Sequence, residues 1–274
     1  MLRIFCFYIL LLIFFPNAAF SAVANTNADS GTACSSSSPM MTADGSCRAT
    51  PSKYEAQIYE MGLCTSDPFD NGNNTTFDSS TCTVVYSDAS PNAVDLAATL
   101  GSGLTLPGTS SRPANGTYKY PYIILSNQFT VNGSFTSNGT AYYSTGSGNA
   151  SSTGTQAEYT DTLANFGGPN CVSGYLNATV NSGTISGFIT NSSLTRSDSS
   201  EASLVSGSYL CDNRTRLVGT MNLTTPVKVT SETTVFQFNF ELTNFGIQFF
   251  DESGSDSVPD GFGSGPFSGY FFIE

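Results

Sequence analysis

The sequence predicts an all-β fold, an antiparallel β-sandwich or an up-and-down β-barrel that is disulfide-stapled and contains little helix. Three observations carry this prediction: an alternating aromatic segment near the C-terminus, an even set of cysteines behind an export signal, and many short strands separated by turn residues. A disordered chain is disfavoured, because 21 Phe and 13 Tyr supply ample apolar surface for a core.

The alternating segment is Thr233–Phe250, in which every second residue from Phe236 to Leu242 is apolar and the residues between them are polar. Period-2 alternation is typical of a strand with one buried and one solvated face. Burial of each phenylalanine ring stabilises the fold by roughly 1.5–3 kcal/mol, so we expect this strand to anchor the core. The segment Asn244–Gly246 interrupts the pattern and predicts a bulge or turn before Ile247–Phe250.

The first 24 residues have the pattern of a secretory signal peptide. Arg3 gives a positive start, Ile4–Phe15 is an almost unbroken apolar run, and Ala22–Ala24 offers a small-x-small cleavage site. The apolar run is shorter than the ~20 residues that span a bilayer. We therefore expect a chain that is secreted or held at the cell surface (periplasm or outer surface in a bacterium) and that is not integral to the membrane after cleavage.

The remaining chain divides by composition. We expect residues 25–50 to form a flexible Ser-rich leader, and residues 51–274 to form a single all-β domain. The stretch Leu104–Pro113 is rich in Gly, Pro and Ser, which indicates a linker, and a candidate boundary within that domain lies near 101–113.

Six cysteines follow the cleavage site, and an even number in an exported chain indicates disulfides, although six cysteines allow 15 pairings. We expect sequential pairing, because each bridge then closes a local loop: Cys34–Cys47, Cys64–Cys82 and Cys171–Cys211. A zinc site is disfavoured, since the chain has no C-x-x-C pair and no histidine.

The elements follow from periodicity and turn residues. The stretch Thr50–Cys64 fits either a helix or a strand, and we prefer a strand because the rest of the chain is so consistently β. The dipeptides Asn132-Gly133 and Asn138-Gly139 predict tight hairpins. Further strands are predicted at Thr83–Tyr86, Tyr118–Leu125, Asn127–Val131, Ser134–Thr136, Ala157–Leu163, Ser173–Val180, Thr184–Thr190, Ala202–Leu210, Arg216–Leu223, Val227–Thr230 and Gly269–Ile273.

The charge and the missing motifs narrow the function classes. A net charge of −12 repels phosphate backbones, which disfavours nucleic acid as a partner. Without histidine there is no Ser-His-Asp triad and no Cys-His pair, and no Walker A loop or G-x-S-x-G elbow is present. We assign no catalytic residue. Carboxylates are the groups left for catalysis, and Glu241, Glu158 and Asp161 are the candidates for an acid pair.

The loop between Cys64 and Cys82 is a candidate calcium site, because side-chain oxygens crowd within it. Calcium takes six to eight oxygen ligands, but the spacing does not match an EF-hand, and Asp and Asn are also ordinary residues of solvated turns. The candidate ligands are Asp67, Asp70, Asn71, Asn73 and Asp78.

Three tyrosines, Tyr118, Tyr120 and Tyr122, alternate along one predicted strand. An exposed row of this kind can stack on sugar rings or contact a partner protein, and the competing interpretation is half-buried packing. The leading functional hypothesis is a cell-surface or extracellular structural or adhesive module that binds a protein or a glycan. The alternatives are a carbohydrate-binding module, with or without calcium, and an acid-pair glycoside hydrolase.

Overall fold

The computed structural model describes residues 32–38, 40–41, 45–163, 175–180, 183–196, 202–205, 208–211, 213–251, 256–265 and 268–273. Only the backbone is described for the strands at 175–180, 202–205, 208–211 and 268–273. The predicted signal peptide lies outside the described residues. Within them, no helix combines the length and the apolar character needed to cross a bilayer.

Nearly all regular structure in the described residues is β, and the helical part consists of two single 3-10 turns, Asp70–Gly72 and Ala97–Thr99. The strands are β1 (Ser46–Ala49), β2 (Lys53–Ala56), β3 (Ile58–Cys64), β4 (Cys82–Ser87), β5 (Val94–Asp95), β6 (Thr109–Ser110), β7 (Gly116–Tyr118), β8 (Tyr120–Ser126), β9 (Gln128–Asn132), β10 (Ser134–Ser137), β11 (Thr140–Ser144), β12 (Ala150–Ser151), β13 (Tyr159–Thr162), β14 (Tyr175–Val180), β15 (Gly183–Thr190), β16 (Ala202–Val205), β17 (Ser208–Cys211), β18 (Arg216–Leu223), β19 (Val227–Val229), β20 (Phe236–Glu241), β21 (Ile247–Phe250), β22 (Gly261–Ser264) and β23 (Ser268–Ile273).

The largest sheet has seven antiparallel strands in the order β14-β15-β18-β8-β3-β4-β6, and a second has four in the order β13-β9-β2-β5. At two places a single residue connects a strand of one of these two sheets to a strand of the other: Gln57 lies between β2 and β3, and Asn127 lies between β8 and β9. Smaller antiparallel groups are β1-β21-β22, β10-β11-β12, β16-β17, β19-β7 and β20-β23. The all-β prediction is therefore confirmed, and the sheets pack against each other in a sandwich-like arrangement.

The main core lies where the seven-stranded, four-stranded and β1-β21-β22 sheets meet. Alternation along β8 sends Ile123 and Leu125 into this core, while Tyr122 and Ile124 enter a second core on the opposite face of the sheet. The most deeply buried members of the main core are Val131, Ile247 and Phe249, which are 0% exposed.

The segment around Phe238 forms strand β20, as predicted, but the prediction that it anchors the core is wrong. Phe236, Phe238 and Phe240 are only half-buried, and β20 pairs with β23 in a two-stranded sheet at the side of the main core. The strand that follows, β21, is the buried one: Phe249 is 0% exposed. The alternation of apolar and polar residues does not show which of the two aromatic strands, β20 or β21, is buried. The buried strand is the one that stabilises the fold more.

The two Asn-Gly dipeptides have different outcomes. Asn138 and Gly139 both have positive φ, 48° and 78°, and connect β10 to β11 as the predicted hairpin. The hairpin predicted at Asn132-Gly133 is wrong, since β9 pairs with β2 and β13 while β10 pairs with β11. Neither residue has positive φ there, and a Cβ on Gly133 would collide with Ile247 Cδ1. This glycine permits close packing.

Most of the other predicted strands are present, including the preferred strand assignment of Thr50–Cys64, which contains β2 and β3. The segment predicted as one strand at Ala202–Leu210 is instead a pair, β16 and β17. That pairing is local, and the alternation of the sequence does not reveal the turn between them. The organisation of residues 51–274 as a single domain stays a prediction.

Two of the predicted disulfides are confirmed. Cys34 bonds Cys47 with an S–S distance of 2.04 Å, and Cys64 bonds Cys82 with a distance of 2.00 Å. The second bridge closes the loop that follows β3. The pairing of Cys171 with Cys211 stays a prediction, because Cys171 lies outside the described residues.

Candidate binding cleft

A cleft of about 1500 Å³ opens between β20 on one side and the loop 99–106 on the other. Its remaining wall comes from residues 110–113, from Ser231 and from residues 233–235. The floor is apolar and belongs to the packed sheets, which contribute Ile58, Met61, Val85, Tyr86 and Leu96. A concave surface with an apolar floor and a few polar groups is the usual form of a ligand site.

The loop wall is positioned by local hydrogen bonds at its start. Asp95 Oδ1 accepts from the backbone N–H groups of Tyr54 and Ala97, each at 3.0 Å. Leu96, which lies between Asp95 and Ala97 in the chain, is buried in the main core. These contacts fix the 3-10 turn from which the loop extends, so the wall begins at a defined position against β2.

The remaining wall of the cleft is held together by Arg112. Its guanidinium donates to the backbone oxygens of Pro113, Thr230 and Thr233 and to Asn115 Oδ1. The arginine thereby joins the 112–115 segment to the turn after β19. Because its donors serve these internal acceptors, Arg112 acts as a structural link.

The cleft is electrostatically neutral apart from that arginine. Its described lining contains no Asp, no Glu and no Lys, although the chain carries 21 acidic residues. The part of the cleft that the structure describes therefore offers a ligand no carboxylate.

Exposed apolar side chains concentrate at this cleft. Leu100, Leu104 and Val235 are 43%, 42% and 37% exposed and all line it. In the described part of the chain, only two other large hydrophobic residues, Val84 and Val258, are as exposed. Single exposed apolar residues need no explanation, but a group of them around a concavity marks a contact site.

Polar groups with free hydrogen-bonding capacity lie beside these apolar residues. Within the described residues, the hydroxyls of Thr105, Ser110 and Ser231 make no hydrogen bond, and all three side chains line the cleft. Gln237 Nε2 donates to Asn239 Oδ1 at 2.5 Å. That contact leaves Gln237 Oε1 as an acceptor and Asn239 Nδ2 as a donor for a ligand.

The predicted tyrosine row is not an exposed face. Tyr118, the last residue of β7, is buried against Leu63, Val85 and Val229, Tyr122 is buried in the second core, and Tyr120 is half-buried. The Tyr122 hydroxyl donates to Glu60 Oε1 at 2.7 Å. The prediction of an exposed binding row is therefore wrong, because loops and neighbouring strands cover both faces of β8.

The candidate acids lie outside the cleft lining, and the described contacts of two of them are structural. Glu158 accepts a 2.8 Å hydrogen bond from Lys53, which also lies 3.0 Å from Glu55. Asp161 accepts from Ser264. Glu241 ends β20, where its backbone pairs with Ser268.

The candidate calcium loop has a structural role over the second core. Phe69 and Phe77 of this loop are buried there, with ring centroids 5.6 Å apart. The Asp67 carboxylate accepts from the backbone N–H groups of Phe69 and Asn71, and Asp78 accepts from that of Ser80. A hydrogen bond from the Ser80 side chain, together with the one from its backbone N–H, lowers the pKa of Asp78.

Asp70 receives a 3.4 Å contact from the Asn73 amide. No group of three or more His, Cys, Asp or Glu side chains in the described residues is arranged to hold a metal ion. Calcium at this loop stays a prediction.

Sequence reasoning did not identify the cleft. The Gly, Pro and Ser content of Leu104–Pro113 predicts a linker, whereas most of this stretch lines the cleft. The sequence signal for the cleft is an apolar pair, Leu100 and Leu104, which flanks glycines at 101 and 103 in an otherwise polar loop. No protein-family model, curated protein or solved structure matches the chain.

Proposed function

We propose that this protein is an exported β module that binds a partner protein or glycan at a cell surface, and that the cleft is its binding site. One observation carries the proposal: exposed apolar side chains and uncommitted polar groups meet in one concavity whose described lining holds no carboxylate and has Arg112 as its one charged residue. The two disulfides fit an oxidising, extracellular location.

The composition of the cleft favours binding over hydrolysis. An acid-pair glycoside hydrolase needs two carboxyl groups about 5–9.5 Å apart across its substrate. The described lining holds none, and Glu158 and Asp161 are engaged with Lys53 and Ser264 elsewhere. We therefore prefer a binding module to a hydrolase.

Two equally exposed valines provide a matched test. Val235, 37% exposed, lines the cleft, and Val258, 39% exposed, does not. Val235→Asp and Val258→Asp each add one negative charge at an exposed apolar position. Labelled protein is applied to intact cells of the producing organism, and the bound fraction is measured by flow cytometry.

We expect Val235→Asp to weaken binding at least about tenfold, because a charge must be desolvated against an apolar ligand surface. Val258→Asp should bind like the unmodified protein. Equal loss in both variants, or no loss in either, would contradict the assignment of the cleft as the binding site. Melting temperatures of both variants establish that they remain folded.

A further inference from the structure

We infer that the cleft binds a neutral polysaccharide chain. The inference rests on the proposed function and names the chemistry of its partner. It is carried by three properties of the described lining: it contains no carboxylate, it combines apolar and hydroxyl groups, and it has a large share of serine and threonine.

Charge complementarity selects a neutral ligand. An anionic polymer approaching the protein is repelled by a surface with a net charge of −12. A cationic polymer is attracted to that surface but finds no carboxylate in the described lining. Arg112, the one charged residue there, directs its donors to Pro113, Thr230, Thr233 and Asn115. An uncharged ligand is the one that this cleft does not penalise.

The side chains match the surface of a sugar. A pyranose ring presents apolar C–H faces and a perimeter of hydroxyls, and it needs apolar contacts and hydrogen-bonding groups together. Phe236, Phe238 and Phe240 line one side of the cleft, with Phe238 and Phe240 4.6 Å apart edge to face. The hydroxyls of Thr105, Ser110 and Ser231, which make no hydrogen bond within the described residues, supply the hydrogen-bonding groups for sugar hydroxyls.

The share of hydroxyl residues favours a hydroxyl-rich ligand, although aromatic residues, Met61 and Arg112 also line the cleft. Cores of protein–protein interfaces are enriched in aromatic residues, Met and Arg and depleted in Ser. Eight Ser and Thr residues line this cleft: Thr99, Ser102, Thr105, Ser110, Ser111, Ser231, Thr233 and Thr234. Such a lining suits a partner that itself carries many hydroxyls.

Gly103 allows the cleft to be altered without disturbing its packing. A Cβ placed on this residue meets no atom within 4 Å, and its φ is not in the left-handed region. Gly103→Asp therefore adds a carboxylate to the cleft, and Gly103→Ala is the matched neutral control. Both variants should keep the melting temperature of the unmodified protein within a few degrees.

The experiment uses cells of the producing organism treated either with periodate, which cleaves the vicinal diols of sugars, or with a broad protease. We expect periodate to abolish binding and protease to leave it intact. Soluble neutral polysaccharide from the same cells should compete, while alginate and pectate should not. Gly103→Asp should weaken binding at least about tenfold, and Gly103→Ala should not.

Binding that survives periodate but is lost after protease would overturn the inference and leave the proposed function standing. Competition by alginate or pectate would contradict the neutral character of the ligand. Binding that is unaffected by both Gly103→Asp and Val235→Asp would contradict the proposed function itself. The three failures are therefore distinguishable.

Discussion

Asp161 Oδ2 accepts two hydrogen bonds from Ser264, one from its backbone N–H and one from its hydroxyl, each at 2.8 Å. The contact joins β13, at the edge of the four-stranded sheet, to β22 of the β1-β21-β22 sheet. One carboxylate thus links two sheets beside the main core. Its chemical role is to organise the fold.

Replacing this carboxylate should therefore lower stability. We expect Asp161→Ala to reduce the free energy of unfolding by about 1.5–3 kcal/mol, the usual contribution of hydrogen bonds to a charged group. Urea denaturation measures the loss. Glu232→Ala, at an exposed turn, serves as the control and should change stability by less than about 0.5 kcal/mol. Equal effects of the two substitutions would contradict a structural role for Asp161.

The burial difference between β20 and β21 gives a second prediction. Phe249→Ala should cost about 3–5 kcal/mol, since the ring is fully buried in the main core. Phe238→Ala should cost clearly less, because its ring is half-buried and lines the cleft. Denaturant unfolding of both variants decides this. A larger loss for Phe238→Ala would mean that β20 is the anchoring strand after all.

Alkaline stability provides a third prediction. Burial, reinforced by the hydrogen bond to Glu60, raises the pKa of Tyr122 well above its usual range, and burial likewise raises the pKa of Tyr54. The unfolded chain releases these protons near pH ~10 while the folded chain keeps them. Stability is therefore complete below pH ~10 and falls above it, by up to about 1.4 kcal/mol per pH unit for each tyrosine.

We expect Tyr122→Phe to lose stability less steeply between pH 10 and 11 than the unmodified protein. Urea midpoints at pH 8, 10 and 11 measure this slope for both proteins. Identical slopes would indicate that Tyr122 ionises in the folded state as it does in the unfolded state. The comparison uses differences between pH values, so a loss of stability from the missing hydroxyl itself does not affect it.

The disulfides give a fourth prediction. Non-reducing peptide mapping should recover Cys34–Cys47, Cys64–Cys82 and Cys171–Cys211 and no other pairing. Replacing both Cys64 and Cys82 with Ser should lower stability by about 3 kcal/mol, the chain-entropy value for a loop of similar length. A free thiol at Cys211 in the oxidised protein would contradict the predicted Cys171–Cys211 bridge.

Local chemistry allowed many elements to be predicted from the sequence. Asn138-Gly139 forms its hairpin because both residues accept positive φ, a property of the residues themselves. The identical dipeptide Asn132-Gly133 does not form a hairpin. Its glycine instead allows Ile247 of β21 to pack where a Cβ would lie. Distant packing contacts of that kind are invisible to a local pattern.

The cleft was inaccessible to sequence reasoning for the same reason. Its walls come from the loop around Gly103 and from β20, which are far apart in the chain and meet through the packed sheets. The absence of carboxylates in the cleft is a property of that assembled surface. Alternation predicted the strand of Phe238 but not the loop that faces it.

Amide hydrogen exchange tests the central claim most directly. The unmodified protein is measured alone and with soluble polysaccharide extracted from cells of the producing organism. We expect added protection in residues 99–106 and 233–240, which form the two sides of the cleft. Protection confined to other regions, such as the loop 67–78, would contradict the account.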